Sequence, residues 1–95
     1  MPTALKNNMA LIVQKYGGTS VADAERIKVV AQRVARAQAA GNQVVVVISA
    51  MADTTDHLLK LAYEVAPEPD QRELDMLIAT GEIVSATLLS MALKA

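Results

Sequence analysis

The stretch Gln14-Lys15-Tyr16-Gly17-Gly18-Thr19-Ser20-Val21 decides the fold of this chain. An apolar run from Met9 to Val13 leads into it and an amphipathic helical pattern follows it, which predicts a strand, a glycine turn and a helix. Lys15 is predicted to end the strand, at the sheet edge where open α/β sheets bind ligands. Two glycines then leave backbone N–H groups open to an anion, and the N-terminus of the following helix adds partial positive charge. This turn therefore suits a phosphate.

The local pattern has a second interpretation. The stretch matches neither G-x-x-x-x-G-K-[ST] nor G-x-G-x-x-G, so two standard nucleotide-binding fingerprints are absent. An ordinary strand–helix turn with a surface lysine explains the same residues when they are taken alone.

Composition narrows the class of protein. The chain has 95 residues, of which 53% are hydrophobic and 20% charged, and this is typical of one small globular domain or part of a larger one. The absence of cysteine excludes disulfides and thiolate metal sites, and a single histidine excludes a multi-histidine site. A net charge of -1 gives no reason to expect a nucleic acid or an anionic membrane as partner.

The N-terminal residues and the longest apolar stretch indicate where in the cell the protein is expected. Met1 to Asn8 is polar and lacks the apolar core of a signal peptide, so we expect a flexible leader and a cytoplasmic protein. We expect no membrane-spanning helix, because Glu82 interrupts the longest apolar helical stretch.

Hydrophobic periodicity predicts a βαβ unit followed by two helices. Five consecutive β-branched residues, Val44 to Ile48, predict a central strand that is covered on both faces. Ser20 and Asp23 resemble a capping box for the first helix, and Asp70 and Glu73 resemble one for the third. The predicted strands are Ala10 to Lys15 and Gln43 to Ser49. The predicted helices run from about Ser20 to Ala40, from a start near the stretch Ala50 to Asp56 to about Val65, and from about Gln71 to Lys94.

The third helix is apolar nearly all round, which is typical of a helix buried on several sides or shared with a partner. Gly81 in its middle costs about 1 kcal/mol relative to Ala, so we expect it to permit a close approach. Glu82 is either a carboxylate that reaches water or a carboxylate aimed at a polar ligand.

Three motifs in order resemble the aspartokinases, within the amino-acid kinase superfamily. Lys15 to Val21 is similar to the family's opening K-[FY]-G-G-[TS]-S-[VL]. Val46-Val47-Ile48-Ser49-Ala50-Met51 with Thr55 resembles the second-strand segment, in which Ala52 departs from a frequent glycine. Thr80-Gly81-Glu82 resembles the third motif. The resemblance covers Met9 to Leu93, so residues 9–95 are expected to form the N-terminal portion of a kinase catalytic domain.

The resemblance implies a fold and a reaction. The fold would be the parallel βαβ start of a three-layer α/β/α sandwich, truncated to two strands and about three helices. The reaction would be ATP-dependent phosphorylation of the L-aspartate side chain to 4-phospho-L-aspartate, the first step towards lysine, threonine and methionine. The family uses Mg²⁺, which would be held through the nucleotide and by residues outside this chain.

The family's site residues carry over by motif. Lys15 would contact the transferring phosphate as the catalytic residue, and Tyr16, Gly17 and Gly18 would bind the ATP phosphates with it. The substrate-binding residues would be Ser49, Thr55 and Glu82, with Glu82 on the aspartate ammonium group.

Two alternatives stay open. Another amino-acid kinase, such as acetylglutamate kinase, also opens with K-[YF]-G-G, although Thr19-Ser20 and Thr80-Gly81-Glu82 favour an aspartokinase. The second alternative is a non-catalytic fragment that associates with other chains through its third helix. Family members are several times longer than 95 residues, so we expect a missing downstream half as a partner, an inactive fragment on its own, and a homo-oligomer.

Overall fold

A computed structural model describes residues 10–95, and the predicted leader, Met1 to Asn8, lies outside this range. Two strands and three α-helices follow one another in the predicted order: strand, helix, strand, helix, helix. A short 3-10 turn lies between the first strand and the first helix. The strands are β1 (Leu11–Tyr16) and β2 (Gln43–Ile48), the 3-10 turn is Gly18–Val21, and the helices are α1 (Ala24–Ala39), α2 (Thr54–Val65) and α3 (Gln71–Lys94).

The two strands form a parallel pair, which confirms the predicted βαβ unit. Leu11 pairs with Gln43 and Tyr16 pairs with Ile48, in continuous register. The Ser49 N–H donates to the carbonyl oxygen of Tyr16 at 3.0 Å, one residue beyond the strand ends. The carboxyl ends of both strands therefore lie side by side, as the sequence predicts.

Helices α1 and α3 cover one face of this pair. The buried side of α1 is Ile27, Val30, Ala31 and Val34, which packs with Tyr16, Val21 and Leu89. The helical spacing predicts these four residues and Ala37, which is only partly buried. Ile12, Val44, Val46 and Ile48 point towards this side of the sheet and are partly buried. The core is built from aliphatic side chains and one tyrosine.

The opposite face of the sheet is open within residues 10–95, so the prediction that β2 is covered on both faces is wrong for this part of the chain. Leu11 and Val13 are 65% and 62% exposed, and Val45 and Val47 are 47% and 48% exposed. Apolar side chains on both faces of a parallel strand are typical of a sheet with helices on each side. The second layer is absent from the described residues.

Helix α1 begins later than predicted, at Ala24 rather than Ser20. Asp23 is its N-cap, and its carboxylate accepts a hydrogen bond from the Arg26 N–H at 2.9 Å. Ser20 lies in the 3-10 turn instead, where its N–H donates to the carbonyl oxygen of Gly17 at 3.1 Å. The positive end of the α1 dipole acts mainly within its first turn, so it lies further from the glycines than the sequence predicted.

Helix α3 has the predicted bounds and an inner face that differs by one residue from the predicted face. Asp70 caps its first turn and accepts hydrogen bonds from the N–H groups of Arg72 and Glu73. Leu74, Gly81, Ser85 and Leu89 are buried, whereas Val84 and Leu88 are exposed. The sequence spacing predicts one apolar face made of Leu74, Leu77, Ile78, Gly81, Val84 and Leu88. Ser85 and Leu89 are buried in place of Val84 and Leu88.

The outer face of α3 carries large apolar side chains. Met76, Ile83 and Met91 are all more than half exposed. Among residues 10–95, α3 is the one helix that is long and apolar enough to cross a membrane, by length and composition only. The prediction that Glu82 excludes such a helix is therefore wrong for these two criteria. A core helix of a soluble protein meets the same criteria.

Candidate functional site

Gly17 opens the predicted phosphate turn in an ordinary extended conformation, with φ -81° and ψ 176°. A Cβ built on Gly17 would meet no atom of residues 10–95 within 4 Å. Neither backbone conformation nor packing within the described residues therefore requires glycine at this position. The open space in front of Gly17 is available to a ligand.

Gly18 has a different environment. A Cβ built on it would lie 3.1 Å from the carbonyl oxygen of Ala50 and 3.6 Å from the backbone of Ala52. Gly18 is therefore glycine because the loop after β2 passes directly against it. This contact fixes the phosphate turn relative to the second predicted motif.

The third motif reaches the same point through Gly81. A Cβ built on Gly81 would lie 3.0 Å from the Ala50 Cβ and 3.1 Å from the Thr54 Cγ2. Ala50 is buried, with Gly18 beside its carbonyl oxygen and Gly81 beside its methyl group. The prediction that Gly81 permits a close approach is confirmed. All three motifs converge at Ala50.

The loop between β2 and α2 turns sharply after Ala50. The Thr54 N–H donates to the carbonyl oxygen of Met51 at 3.1 Å, and Asp53 has φ 68° and ψ -8°. Those angles match the third position of a type II turn, where glycine or asparagine is favoured and aspartate is tolerated. The special backbone position is therefore Asp53, next to the Ala52 that departs from the family pattern.

Ser49 and Thr55 lie at the two ends of this loop. Ser49 follows β2 and is half-buried, and Thr55 is half-buried in the first turn of α2. Neither side chain donates a hydrogen bond to another described residue. Ser49 lies at the sheet edge where β1 also ends.

Lys15 is exposed, and alternation along β1 puts its side chain on the open face of the sheet with Leu11 and Val13. Tyr16, which the resemblance places among the residues that bind the ATP phosphates, points the other way from Lys15. Its ring is buried in the core and its hydroxyl donates to the Gln14 Oε1 at 2.7 Å. Only the backbone of Tyr16 is then suited to a ligand at the glycine turn.

Glu82 follows Gly81 and is exposed, so its carboxylate reaches water among residues 10–95. The one ion pair in this part of the chain joins Lys28 and Glu25 on the outer face of α1, at 3.3 Å. Lys15 and Glu82 therefore have no ion-pair partner among the described side chains.

Metal ligands are not gathered in this part of the chain. Residues 10–95 contain no group of three or more His, Asp or Glu side chains that could hold a metal ion.

Two features of the site were not predicted. Ala50 lies at the centre of the three motifs, and Arg26 donates a hydrogen bond from its Nη1 to the carbonyl oxygen of Thr19 at 2.6 Å. A buried alanine between two glycines is visible only in three dimensions. Arg26 was assigned to helix one without a role, because its sequence position gives no sign that it reaches seven residues back.

Comparison with known proteins agrees with this geometry. The model of the amino acid kinase family matches residues 10–95. This chain belongs to the amino acid kinase family. Within the family, the predicted resemblance to aspartokinases is confirmed.

The relatives are all much longer than this chain. The aspartokinase of Mycolicibacterium smegmatis is 60% identical over 86 residues, which cover 90% of this chain and 20% of that protein. The aspartokinase of Thermus thermophilus is 60% identical over 87 residues, which cover 92% of this chain and 22% of that protein. The chain thus spans about a fifth of these curated relatives.

A solved structure has the same fold. The crystal structure of aspartate kinase from Synechocystis matches with a TM-score of 0.86 and 57% identity, over 88% of this chain and 14% of that chain. The predicted fold class, the start of an α/β amino-acid kinase sandwich, is confirmed.

Proposed function

We propose that these residues form part of the active site of an aspartokinase, which transfers the γ-phosphate of ATP to the side-chain carboxylate of L-aspartate. The product is 4-phospho-L-aspartate, the first intermediate towards lysine, threonine and methionine. The observation that carries the proposal is the convergence of three separate motifs on Ala50, through contacts at Gly18 and Gly81. Similarity to aspartokinases at 60% identity supports the choice of reaction.

In this proposal the glycine turn binds the phosphates. The space in front of Gly17 admits a ligand oxygen close to the backbone, and Lys15 adds a positive charge two residues earlier in the chain. Backbone N–H groups and a lysine stabilise the charge of a transferring phosphoryl group when they are held in place beforehand. Lys15 is the proposed catalytic residue, and Gly17 and Gly18 bind phosphate with it.

The other motifs bind aspartate. Ser49 and Thr55 supply hydroxyl groups from the loop after β2, and Glu82 supplies a negative charge for the substrate ammonium group. Glu82 lacks an ion-pair partner among residues 10–95, which leaves its carboxylate for a ligand cation. The Gly81 contact with Ala50 and Thr54 joins α3 to that loop, and this supports a shared role for Glu82 and Thr55.

The reaction requires little proton transfer. An aspartate side chain has a pKa near 4 in solution, so at pH 7 the nucleophilic carboxylate is already ionised. One of its oxygens attacks the γ-phosphorus, and the bond from that phosphorus to the ADP oxygen breaks. Positioning two anions and neutralising their charge is then the main catalytic task.

We also propose that the rest of the kinase domain covers the open face of the sheet. That face exposes Leu11, Val13, Val45 and Val47, and the relatives are about five times longer than this chain. Large exposed apolar patches mark interaction sites or aggregation. The nucleotide's adenine and ribose, and any Mg²⁺, would be bound by that additional part, and the exposed face of α3 favours a homo-oligomer.

Substrate profiling tests the reaction. A chain of the relatives' length that contains these residues is assayed with ATP and hydroxylamine, which traps an acyl phosphate as a hydroxamate. Hydroxamate that forms with L-aspartate and not with N-acetyl-L-glutamate supports the proposal. The reverse preference would establish the acetylglutamate kinase alternative, and product with neither substrate would refute both.

A further inference from the structure

We infer that Arg26 is a positioning residue for the phosphate turn, which it holds through the carbonyl oxygen of Thr19. This inference rests on the proposed function of the glycine turn. Arg26 lies in the first turn of α1, and its Nη1 donates to Thr19 at 2.6 Å. Thr19 directly follows the two glycines that would bind phosphate.

Arg26 connects both ends of the segment between the turn and the helix. Its backbone N–H donates to the Asp23 carboxylate at 2.9 Å, while its guanidinium reaches Thr19. The segment from Thr19 to Asp23 is thus closed by one residue at the start of a regular helix. The rest of α1 is held rigidly because it packs on the core. Through its hydrogen bond to Thr19, Arg26 ties the phosphate turn to this rigid helix.

Packing contacts fix the residues on both sides of Thr19 but not Thr19 itself. Gly18 lies against Ala50, and the Val21 side chain is fully buried in the core. Between them, Thr19 and Ser20 are exposed, and the Ser20 N–H donates to the carbonyl oxygen of Gly17. The Arg26 bond fixes the peptide plane between two anchored residues.

The chemistry explains why a charged donor is used. A hydrogen bond from a guanidinium is shorter and stronger than one from a neutral donor. Arg26 has no carboxylate partner within 4.0 Å among residues 10–95, where the one ion pair is Lys28 with Glu25. Its charge is therefore not neutralised by a neighbouring side chain, and it polarises the peptide group between Thr19 and Ser20.

Orientation of backbone amides matters for phosphoryl transfer. The donors must be in place before the reaction, and a displacement of about 1 Å can cost about 10²-fold in rate. Loss of the Arg26 bond frees the Thr19 peptide without removing any group from the proposed phosphate or aspartate contacts. The expected defect is in kcat, with smaller changes in the KM for aspartate.

The test compares Arg26→Met with Arg33→Met in a chain of the relatives' length. Arg33 lies two turns further along α1 and is exposed, and its side chain has no ion-pair partner among the described residues, so both variants lose the same charge. Arg26→Lys keeps the charge and one donor. We expect kcat to fall about 10- to 100-fold in Arg26→Met, to recover partly in Arg26→Lys, and to change less than twofold in Arg33→Met.

Amide hydrogen exchange provides a readout that does not need activity. Exchange at residues 17–20 is expected to be faster in Arg26→Met than in wild type and Arg33→Met, while exchange in the middle of α1 is the same in all three. Equal exchange of the turn in both Met variants overturns the inference. So does faster exchange with a kcat equal to that of Arg33→Met.

The two proposals fail differently. A wild-type chain that makes no acyl phosphate from aspartate refutes the proposed function, and the exchange comparison then decides whether Arg26 holds the turn. A direct phosphate contact by Arg26 is a third outcome, which also overturns the positioning role. It would appear as a large rise in the KM for ATP with unchanged exchange of the turn.

Discussion

The two neighbouring glycines of the phosphate turn should respond to the same substitution in opposite ways. A methyl group on Gly17 meets no described atom within 4 Å, and its φ of -81° suits alanine. Gly17→Ala should therefore leave stability unchanged or raise it by about 0.4–1 kcal/mol, because the unfolded chain loses freedom. A methyl group on Gly18 would lie 3.1 Å from the Ala50 carbonyl oxygen, which is backbone and cannot easily move. Overpacking of this kind costs about 1–3 kcal/mol.

Gly17→Ala, which is expected to be harmless to stability, should nevertheless weaken ATP binding. If phosphate occupies the space in front of Gly17, the added methyl group forces it outward, and a loss of about 1.4 kcal/mol already weakens binding tenfold. We expect Gly17→Ala to raise the KM for ATP at least about tenfold while the protein stays fully folded.

The assay uses a chain of the relatives' length. Urea unfolding gives the free energy of unfolding for both variants, and the KM for ATP is measured at saturating aspartate. A fully folded Gly17→Ala with the wild-type KM for ATP would refute the idea that a ligand approaches Gly17. A Gly18→Ala variant as stable as wild type would contradict the contact with Ala50.

Other substitutions test the remaining parts of the site. Lys15→Ala should lower kcat by about 10²-fold or more, the range for one preorganised electrostatic group, and a near-normal kcat measured beside Lys28→Ala as control would exclude the phosphate role. Glu82→Gln should raise the KM for aspartate far more than the KM for ATP, whereas equal shifts would make Glu82 structural. Gly81→Ala should destabilise the fold despite a helix-propensity gain of about 1 kcal/mol, because its Cβ would lie 3.0 Å from that of Ala50; a more stable variant in urea unfolding would disprove that contact.

Much of this fold is readable in the sequence. Val44 to Ile48 marked β2, the spacing of Ile27, Val30 and Val34 marked the core side of α1, and Asp70 marked the start of α3. These signals are local, because propensity, capping and periodicity act over a few residues. Gly81 also gave a correct prediction, since a glycine inside a helix needs a packing reason.

The errors share a physical cause: they depend on contacts that the sequence does not show. Ser20 and Asp23 are both good N-cap residues, and the 3-10 turn before α1 decides for Asp23. The open face of β2 could not be predicted either, because apolar side chains on both faces of a strand do not show which of the two faces these residues cover. Ala50 escaped prediction because an alanine carries no chemical signal until its neighbours are known.

The most direct measurement is the hydroxylamine assay on the purified 95-residue chain, with and without a separately expressed downstream half of a family member. The central claim is that these residues supply the phosphate turn and the aspartate-binding groups, while the nucleotide's remaining contacts come from the other half. Binding energy from those remote contacts normally orients the reacting groups. We predict no hydroxamate from the chain alone and aspartate-dependent hydroxamate when both halves are present, with none from a Lys15→Ala chain. Aspartate-dependent turnover by the 95-residue chain alone, monomeric by light scattering, would contradict the account.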